Sequence, residues 1–335
     1  MHASNRLPAL DGLRAISILL VLATHMLPLG PKFLRLNETA GAMGMSLFFA
    51  LSGFLIASLL MRNDDVVEFL VKRLMRILPL AYAYALIVFS AVKFDPASMF
   101  WTMSFVENYF SSHLSGFNSH FWSLCVEIHF YIAIALIVAI AGKRGIWAVW
   151  PACFAVTAIR VSQGAYIDIQ THLRVDEILA GACVATLFER GLLNKFRYDY
   201  LLLTVACLLW LASSSPYMGW LQYSRPYASA VLLAGVLGHQ GSYLSTFLSS
   251  APMRYLATIS YALYVIHQAT IQGWMNEGSI FERYFLKRPI SLATTFALAH
   301  LSTFHWERAW LNAGRQFIQQ RRMRRCLPAP AREAG

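Results

Sequence analysis

The segment RLPALDGLRAISILLVLATH, residues 6–25, is a nearly unbroken apolar run with Arg14 near one end and His25 at the other. The offset of eleven positions from Arg14 to His25 corresponds in an α-helix to about three turns and roughly 17 Å of rise, so both side chains share one face. Ionisable groups inside a hydrocarbon core about 30 Å thick are costly and usually face a protein interior or a wet cavity. The segment therefore predicts a membrane-spanning helix with a functional polar stripe. Two alternatives are that Arg14 reaches the headgroups and that His25 lies at the opposite interface.

The overall composition is typical of a polytopic membrane protein. Of 335 residues, 57% are hydrophobic and 13% are charged, and this charged share is about half of that in soluble domains. The formal net charge of +11 does not indicate a nucleic-acid partner, because Lys and Arg accumulate on the cytoplasmic side of membrane proteins. The five cysteines show neither metal-ligand spacing nor a disulfide framework, so no metal is expected.

Apolar segments long enough to cross a membrane recur along the chain. The predicted spans are residues 10–29, 41–61, 77–94, 121–141, 145–162, 173–190, 200–214, 224–238, 252–272 and 290–311. Residues 97–110 are apolar and aromatic but short, and they carry Glu107 and Asn108, which predicts a re-entrant or interfacial piece. The predicted fold class is all-α, a polytopic transmembrane helix bundle of about ten spans.

The distribution of cations predicts the orientation of these spans. With the N-terminus inside, most cations fall on inner segments: Arg6, Arg62, Lys72, Arg73, Arg76, Lys143, Arg144, Arg190, Lys195, Arg197, Arg254, Arg315, Arg321, Arg322, Arg324 and Arg325. Fewer fall on outer segments: Lys32, Arg35, Lys93, Arg225, Arg283, Lys287 and Arg288. The positive-inside rule then favours cytoplasmic positions for both termini. Residues 1–314 are predicted to form the transmembrane domain, and residues 315–335 a solvated, basic cytoplasmic tail that faces the lipid headgroups.

Ionisable residues on three predicted spans lie at a similar depth towards the outer side. They are His25, Glu127 and His267, and the spacing of Ser260, Tyr264 and His267 places these last three on one helical face. A histidine beside a carboxylate serves general base catalysis, because the carboxylate fixes the tautomer and stabilises the imidazolium. The same residues could instead form a structural polar network, and spacing alone does not decide between the two.

Charged residues also cluster at the other end of the bundle and at the sixth span. Arg73 and Arg76 stand three residues apart on a helical approach to the third span. Clustered guanidinium groups can grip the phosphates of a cofactor bidentately, and ordinary positive-inside anchoring is the alternative. At the outer edge of the sixth span, Arg174, Asp176 and Glu177 could hold an acceptor or pair with one another.

Five of these patterns, in this order, resemble the acyltransferase family 3 membrane proteins, which O-acylate bacterial surface glycans and other exported molecules. The patterns are LDGLRAISILLVLATH (10–25), GMSLFFALSGFLIA (44–57), VKRLMRILPLAY (71–82), FWSLCVEIHFYI (121–132) and ISYALYVIHQ (259–268). The chain departs from the family at Ser46, where relatives often carry Asp, and at Ile128 and His129, where they often carry Glu-Gln. These departures bear on the acceptor rather than on the reaction class.

The resemblance implies an essential Arg14 and His25, a cofactor role for Arg73 and Arg76, and a functional Glu127. His267 also matches the family pattern.

The resemblance also implies a multi-pass O-acyltransferase of a bacterial inner membrane, surrounded by membrane lipids. It would transfer an acyl group, acetyl from cytoplasmic acetyl-CoA, to a hydroxyl of a glycan or lipid-linked saccharide at the outer side. A proton-coupled transporter or flippase is the alternative, in which the intramembrane His and Glu would relay protons. A transporter often shows inverted repeats, and no convincing repeat is visible. A membrane sensor or scaffold is a third class.

Overall fold

The computed structural model describes residues 7–193 and 199–326, and every regular element within them is helical. The helices are α1 (Pro8–Met26), α2 (Leu36–Arg62), α3 (Val66–Ile87), α4 (Pro96–Met103), α5 (Trp122–Ala141), α6 (Val149–Ser162), α7 (Asp176–Glu189), α8 (Tyr200–Ser214), α9 (Arg225–Gly238), α10 (Tyr243–Leu248), α11 (Ala251–Ile271), α12 (Arg288–Leu301) and α13 (Arg308–Cys326). Two π-helical turns, Glu282–Lys287 and Ser302–Glu307, flank α12 and leave the chain helical as far as Cys326. The all-α prediction is confirmed.

Each of the ten predicted apolar segments coincides with a helix. Within the described residues, four helical stretches are long and apolar enough to cross a membrane: Pro8–Met26, Lys32–Arg62, Val66–Val92 and Ser119–Ser162. The chain is therefore a membrane protein, while the count of ten spans and the cytoplasmic position of both termini stay predictions. Residues 97–110 form α4 and a turn in which Glu107 and Asn108 are buried.

The bundle is organised around a close crossing of α2 and α7. At the crossing, a Cβ on Gly53 would lie 1.8 Å from the carbonyl oxygen of Ile178, and a Cβ on Gly181 would lie 1.9 Å from that of Ala50. Apolar helices in a membrane gain attraction chiefly through such close backbone packing, because lipid tails are as apolar as their side chains. Gly53, in the second predicted span, therefore serves close helix packing.

Helix α1 packs against both α2 and α11, which orients its polar face. A hydrogen bond of 2.9 Å from the Ser17 hydroxyl to the Gly44 carbonyl ties α1 to α2. The same close approach leaves Gly44 little room, since a Cβ there would lie 2.9 Å from the Ser17 carbonyl oxygen. Arg14 and His25 are consequently held at opposite ends of one fixed helix.

The chain between residues 315 and 326 is helical and belongs to α13, which packs on α3. Arg321 pairs with Asp65 at 2.6 Å, and Arg322 pairs with Glu68 at 2.6 Å. The predicted basic tail is thus, over its first part, a helix bound to the beginning of α3 rather than a freely solvated segment. Arg6, Lys195, Arg197 and residues 327–335 lie outside the described residues.

We predict that Gly53→Ala sharply lowers the yield of folded protein. The added methyl group would force α2 away from the Ile178 carbonyl, and overpacking of this kind typically costs about 1–3 kcal/mol. The measurement is the monodisperse fraction of detergent-extracted, fluorescently tagged protein on size-exclusion chromatography. Gly314→Ala is the matched control, because its Cβ would meet side chains rather than backbone: Met75 at 3.1 Å and Val71 at 3.8 Å. Equal yields from both variants would contradict the α2–α7 crossing.

Candidate active site

A cavity of about 370 Å³ opens near the beginning of α1 and is lined by positive charge. The cations on its wall are Arg14, Lys72, Arg73, Arg76 and Arg315, and its apolar floor includes Leu55, Leu59 and Met75. Lys72 is paired with Glu68 at 2.6 Å. Among the described residues, no carboxylate forms an ion pair with Arg14, Arg73 or Arg76. The structure therefore brings Arg14 into the same cavity as Arg73 and Arg76, the two arginines for which the family resemblance implies a cofactor role.

Helix α13 contributes to this cavity, which sequence reasoning missed. Arg315 and Gly314, both on α13, line part of its wall. Arg315 reaches the cavity because α13 continues as a helix beyond residue 311, where the last predicted apolar segment ends. Arg73 is additionally held by the Tyr131 ring, whose centroid lies 6.0 Å from the guanidinium carbon. The cavity can hold an anion that presents several negative oxygens, because guanidinium groups donate to such oxygens strongly.

Glu127 is buried on α5 between the polar clusters at the two ends of α1. Its carboxylate accepts hydrogen bonds from the Ser52 hydroxyl of α2 and from Tyr131. Arg73 and Arg14 are the cations that interact with it electrostatically. Ser52 therefore links α2 to α5 through a buried polar contact.

The structure does not bring Glu127 to His25. Glu127 lies five residues into α5, about 8 Å along the axis, whereas His25 lies in the last turn of α1. No described contact joins the two side chains. The sequence analysis placed both residues at a similar depth. Apolar segments alone do not show where each helix begins relative to its neighbours, so this depth could not be predicted reliably.

His25 instead belongs to a group of three imidazoles. Its ring centroid lies 5.2 Å from that of His267 on α11, and the His267 centroid lies 5.1 Å from that of His120. His267 and His120 are buried. The His267 Nδ1–H donates to the Tyr264 carbonyl at 2.7 Å, and the His120 Nε2–H donates to the Val265 carbonyl at 3.0 Å. Because a carbonyl can only accept, these bonds fix both tautomers.

Tyr264 secures this group from the side. Its hydroxyl donates to the His120 carbonyl and receives a hydrogen bond of 2.5 Å from Ser123. Its ring stacks on Phe48 of α2, with centroids 6.2 Å apart. Tyr264 and His267 lie on one face of α11, as predicted. Tyr264 contacts the group of imidazoles that includes His25, and His267 is a member of it. His120 also belongs to this group, and the spacing of residues in the sequence did not show that it lies close to the other two.

His25 is exposed where α1 ends and borders two cavities. One, of about 340 Å³, is lined by residues 268 and 271–277 near the end of α11. The other, of about 470 Å³, is lined by Glu38, His120, Trp122, Asp168, Arg174 and Tyr264 together with apolar residues. A side chain placed in this way can meet a ligand in either cavity, whereas His267 behind it cannot.

Arg174 and Asp176 are placed differently from one another. Arg174 lines the larger cavity, and its guanidinium carbon lies 5.3 Å from the centroid of the Trp122 ring. Asp176 is fully buried, where it pairs with Arg160 at 2.5 Å and accepts from Thr157 at 3.1 Å. Of the two alternatives that the sequence left open, Asp176 thus takes the paired one, but with Arg160 rather than Arg174.

Comparison with known proteins identifies relatives of this chain. It is 26% identical to the peptidoglycan O-acetyltransferase OatA of Listeria monocytogenes, over 90% of this chain and 55% of that protein. It is 27% identical to the putative peptidoglycan O-acetyltransferase YrhL of Bacillus subtilis, over 88% of this chain and 53% of that protein. The chain thus spans about half the length of these curated relatives. No solved structure matched it.

A shorter region is 32% identical to a putative O-acetyltransferase of Staphylococcus aureus, over 39% of this chain and 24% of that protein. A family model described as an acyltransferase domain matches residues 7–303. This match contains α1 to α12 and all five of the sequence patterns that resembled the family. The chain therefore belongs to the acyltransferase family 3 of membrane proteins.

Proposed function

We propose that this protein is a multi-pass O-acyltransferase of a bacterial inner membrane, with about ten spans and both termini in the cytoplasm. It takes an acetyl group from cytoplasmic acetyl-CoA and transfers it to a hydroxyl of a glycan or lipid-linked saccharide at the outer side. One observation carries the proposal: α1 has the arginine-lined cavity at one end and exposed His25 at the other. The names of the relatives, which are O-acetyltransferases, support the acetyl group and the glycan acceptor.

The arginine-lined cavity is the proposed donor site. CoA carries several phosphate groups, and Arg73 and Arg76 offer guanidinium groups that form no ion pair with a carboxylate among the described residues. Arg14 lies on the side of the cavity that leads along α1 towards His25. The long pantetheine arm of CoA separates its phosphates from its thioester, as the separation of about 17 Å between Arg14 and His25 along the helix requires.

The transfer step is proposed to depend on His25. Its imidazole takes the proton of the acceptor hydroxyl while that oxygen bonds to the acyl carbonyl carbon. The carbon–sulfur bond then breaks, and the imidazolium returns the proton to the sulfur, so that CoA leaves as the thiol. An acceptor in either outer cavity would reach His25, because the side chain is exposed to both. His267 packs behind the imidazole and limits its orientation.

Glu127 has a proposed role on the donor side. Its carboxylate interacts electrostatically with Arg73 and Arg14 and is held by Ser52. A carboxylate so placed offsets part of the positive charge and orients the arginines, so that the cavity binds its anion without retaining it too strongly. In this proposal Glu127 does not support His25 directly. The residue that packs against the His25 imidazole is His267.

The proposed function is tested by mass spectrometry of envelope glycans and lipids from cells with and without the protein. We expect one class of saccharide to lose a mass increment of one acetyl group in cells that lack it. Restoring the wild-type protein should restore the increment. A transporter or flippase would change the location or amount of a saccharide without removing a covalent acyl group, and that result would overturn the proposal.

We predict that Arg73→Ala and Arg76→Ala each raise the KM for acetyl-CoA by about 10-fold to 100-fold, since a charged hydrogen bond contributes about 1.5–3 kcal/mol. Lysine should restore only part of the affinity, because it lacks the guanidinium fork. The measurement is labelled acetyl transfer in membranes with matched protein levels. Arg62→Ala is the control: it also removes an arginine, one that pairs with Glu189 at 2.7 Å outside the cavity. An unchanged KM in both cavity variants would indicate anchoring instead.

We predict that His25→Gln lowers acetyl transfer by about 10²-fold to 10⁴-fold, the usual contribution of a general base, at normal protein abundance. Glutamine keeps polarity and approximate size but cannot accept and return a proton near neutral pH. The assay compares initial rates from acetyl-CoA in purified protein. His300→Gln serves as the control, since His300 is exposed and contacts Tyr255 at 3.0 Å, away from the cavities. Transfer close to wild type in His25→Gln would assign the chemistry elsewhere.

A further inference from the structure

Behind the larger outer cavity lies a buried group of charged residues with unequal numbers of cations and anions. Arg160, Arg174 and Arg225 face Asp176 and Glu177, and all five side chains are at most 2% exposed. Arg160 pairs with Asp176 at 2.5 Å, and Arg225 pairs with Glu177 at 2.8 Å. Arg174 also pairs with Glu177, at the longer distance of 3.4 Å. Three guanidinium groups therefore share two carboxylates, which leaves the group with one excess positive charge.

Several hydrogen-bond donors of Arg174 have no acceptor within the described residues. Its Nη2 lies 3.4 Å from Glu177 Oε2, and its Nε and Nη1 have no hydrogen-bond partner among the described residues. A buried cation with unmet donors is unfavourable unless a partner compensates it. The Trp122 ring holds the guanidinium in place by a cation–π contact but accepts no conventional hydrogen bond from it. The geometry therefore leaves donors available for an anion.

Arg174 lines the wall of the same chamber as His25. Two carboxylates also line the chamber, and neither forms an ion pair with Arg174. Glu38 pairs with Arg35, and Asp168 accepts the backbone N–H of Gln170 at 2.7 Å. The cavity of about 470 Å³ has room for a sugar residue, with the indole of Trp122 as an apolar surface.

We infer that Arg174 binds an anionic group of the acceptor, so that the preferred acceptor is an acidic saccharide. Its carboxylate or phosphate would lie close to the hydroxyl that His25 deprotonates. The inference rests on the proposed function and adds the chemical class of the acceptor. Arginine suits this role because its charge persists on burial and its planar donors match carboxylate and phosphate oxygens.

The test uses three soluble probes with purified full-length protein: a disaccharide that contains one glucuronic acid, its carboxyl-reduced counterpart, and that neutral disaccharide carrying a phosphomonoester. We expect kcat/KM for one or both acidic probes to exceed that for the neutral probe by about 10-fold to 100-fold, the range of a charged hydrogen bond. Preference for the uronate identifies a carboxylate, and preference for the phosphomonoester identifies a phosphate. Equal values for all three probes would overturn the inference.

Variants assign this preference to Arg174. In Arg174→Gln the acidic-to-neutral ratio should fall towards one, and Arg174→Lys should keep part of it. Arg288→Gln is the matched control and should keep the wild-type ratio, because Arg288 also lies over an aromatic ring, at 4.0 Å from the Tyr284 centroid, but outside this cavity. A wild-type ratio in Arg174→Gln would show that another group recognises the anion.

A binding measurement separates failure of this inference from failure of the proposed function. We expect an acidic probe, without acetyl-CoA, to raise the Tm of the wild-type protein in proportion to its occupancy, and the neutral probe to raise it less. Selective stabilisation without acetyl transfer would support the anion site while overturning the acyltransferase proposal. Transfer without any discrimination between acidic and neutral probes, in rate or in Tm, would keep the enzyme and overturn the role of Arg174.

Discussion

The structure depends on holding a cation and an imidazole at opposite ends of one apolar helix. In hydrocarbon neither group is tolerated without protein around it, so the neighbours of α1 must provide polar surroundings at both ends. Close packing meets this requirement: Ser17 binds the Gly44 carbonyl on one side of α1, and α11 covers the other. Towards Arg14, helices α3 and α13 close a cavity, and towards His25 the imidazoles of α11 and of the segment before α5 complete a second polar region.

The two ends differ in their electrostatics, and this difference separates two kinds of chemistry. The cavity at Arg14 has guanidinium groups that lack carboxylate partners among the described residues, which favours a ligand with several negative charges. Around His25, the buried imidazoles bond to backbone carbonyls rather than to carboxylates. That arrangement suits a neutral base. Glu127 lies between the ends and is oriented towards the arginines by Ser52 and Tyr131.

Much of this architecture could be predicted from the sequence because apolar runs and helical spacing are local properties. The ten apolar segments became helices, and Arg73 and Arg76 reach one cavity because they are three residues apart. The failures concern relations between distant segments. The depth of Glu127 relative to His25 depends on where α5 and α1 start and end. Glu177 pairs with the nearby Arg174, as the sequence allowed, but it also pairs with Arg225, and Asp176 pairs with Arg160; both of these arginines lie on other helices. Arg315 was assigned to a solvated tail, because no apolar pattern marks α13.

The excess of positive charge also has more than one origin. The formal net charge of +11 follows in part from the cytoplasmic bias of membrane proteins, yet several cations have other surroundings. Arg321 and Arg322 pair with carboxylates and fix α13 to α3. Arg73 and Arg76 line a cavity, and Arg174 is buried beside another. Orientation in the membrane requires only charge near the cytoplasmic headgroups, and it does not require a buried guanidinium with unmet donors. A ligand with negative oxygens provides a physical reason for those positions.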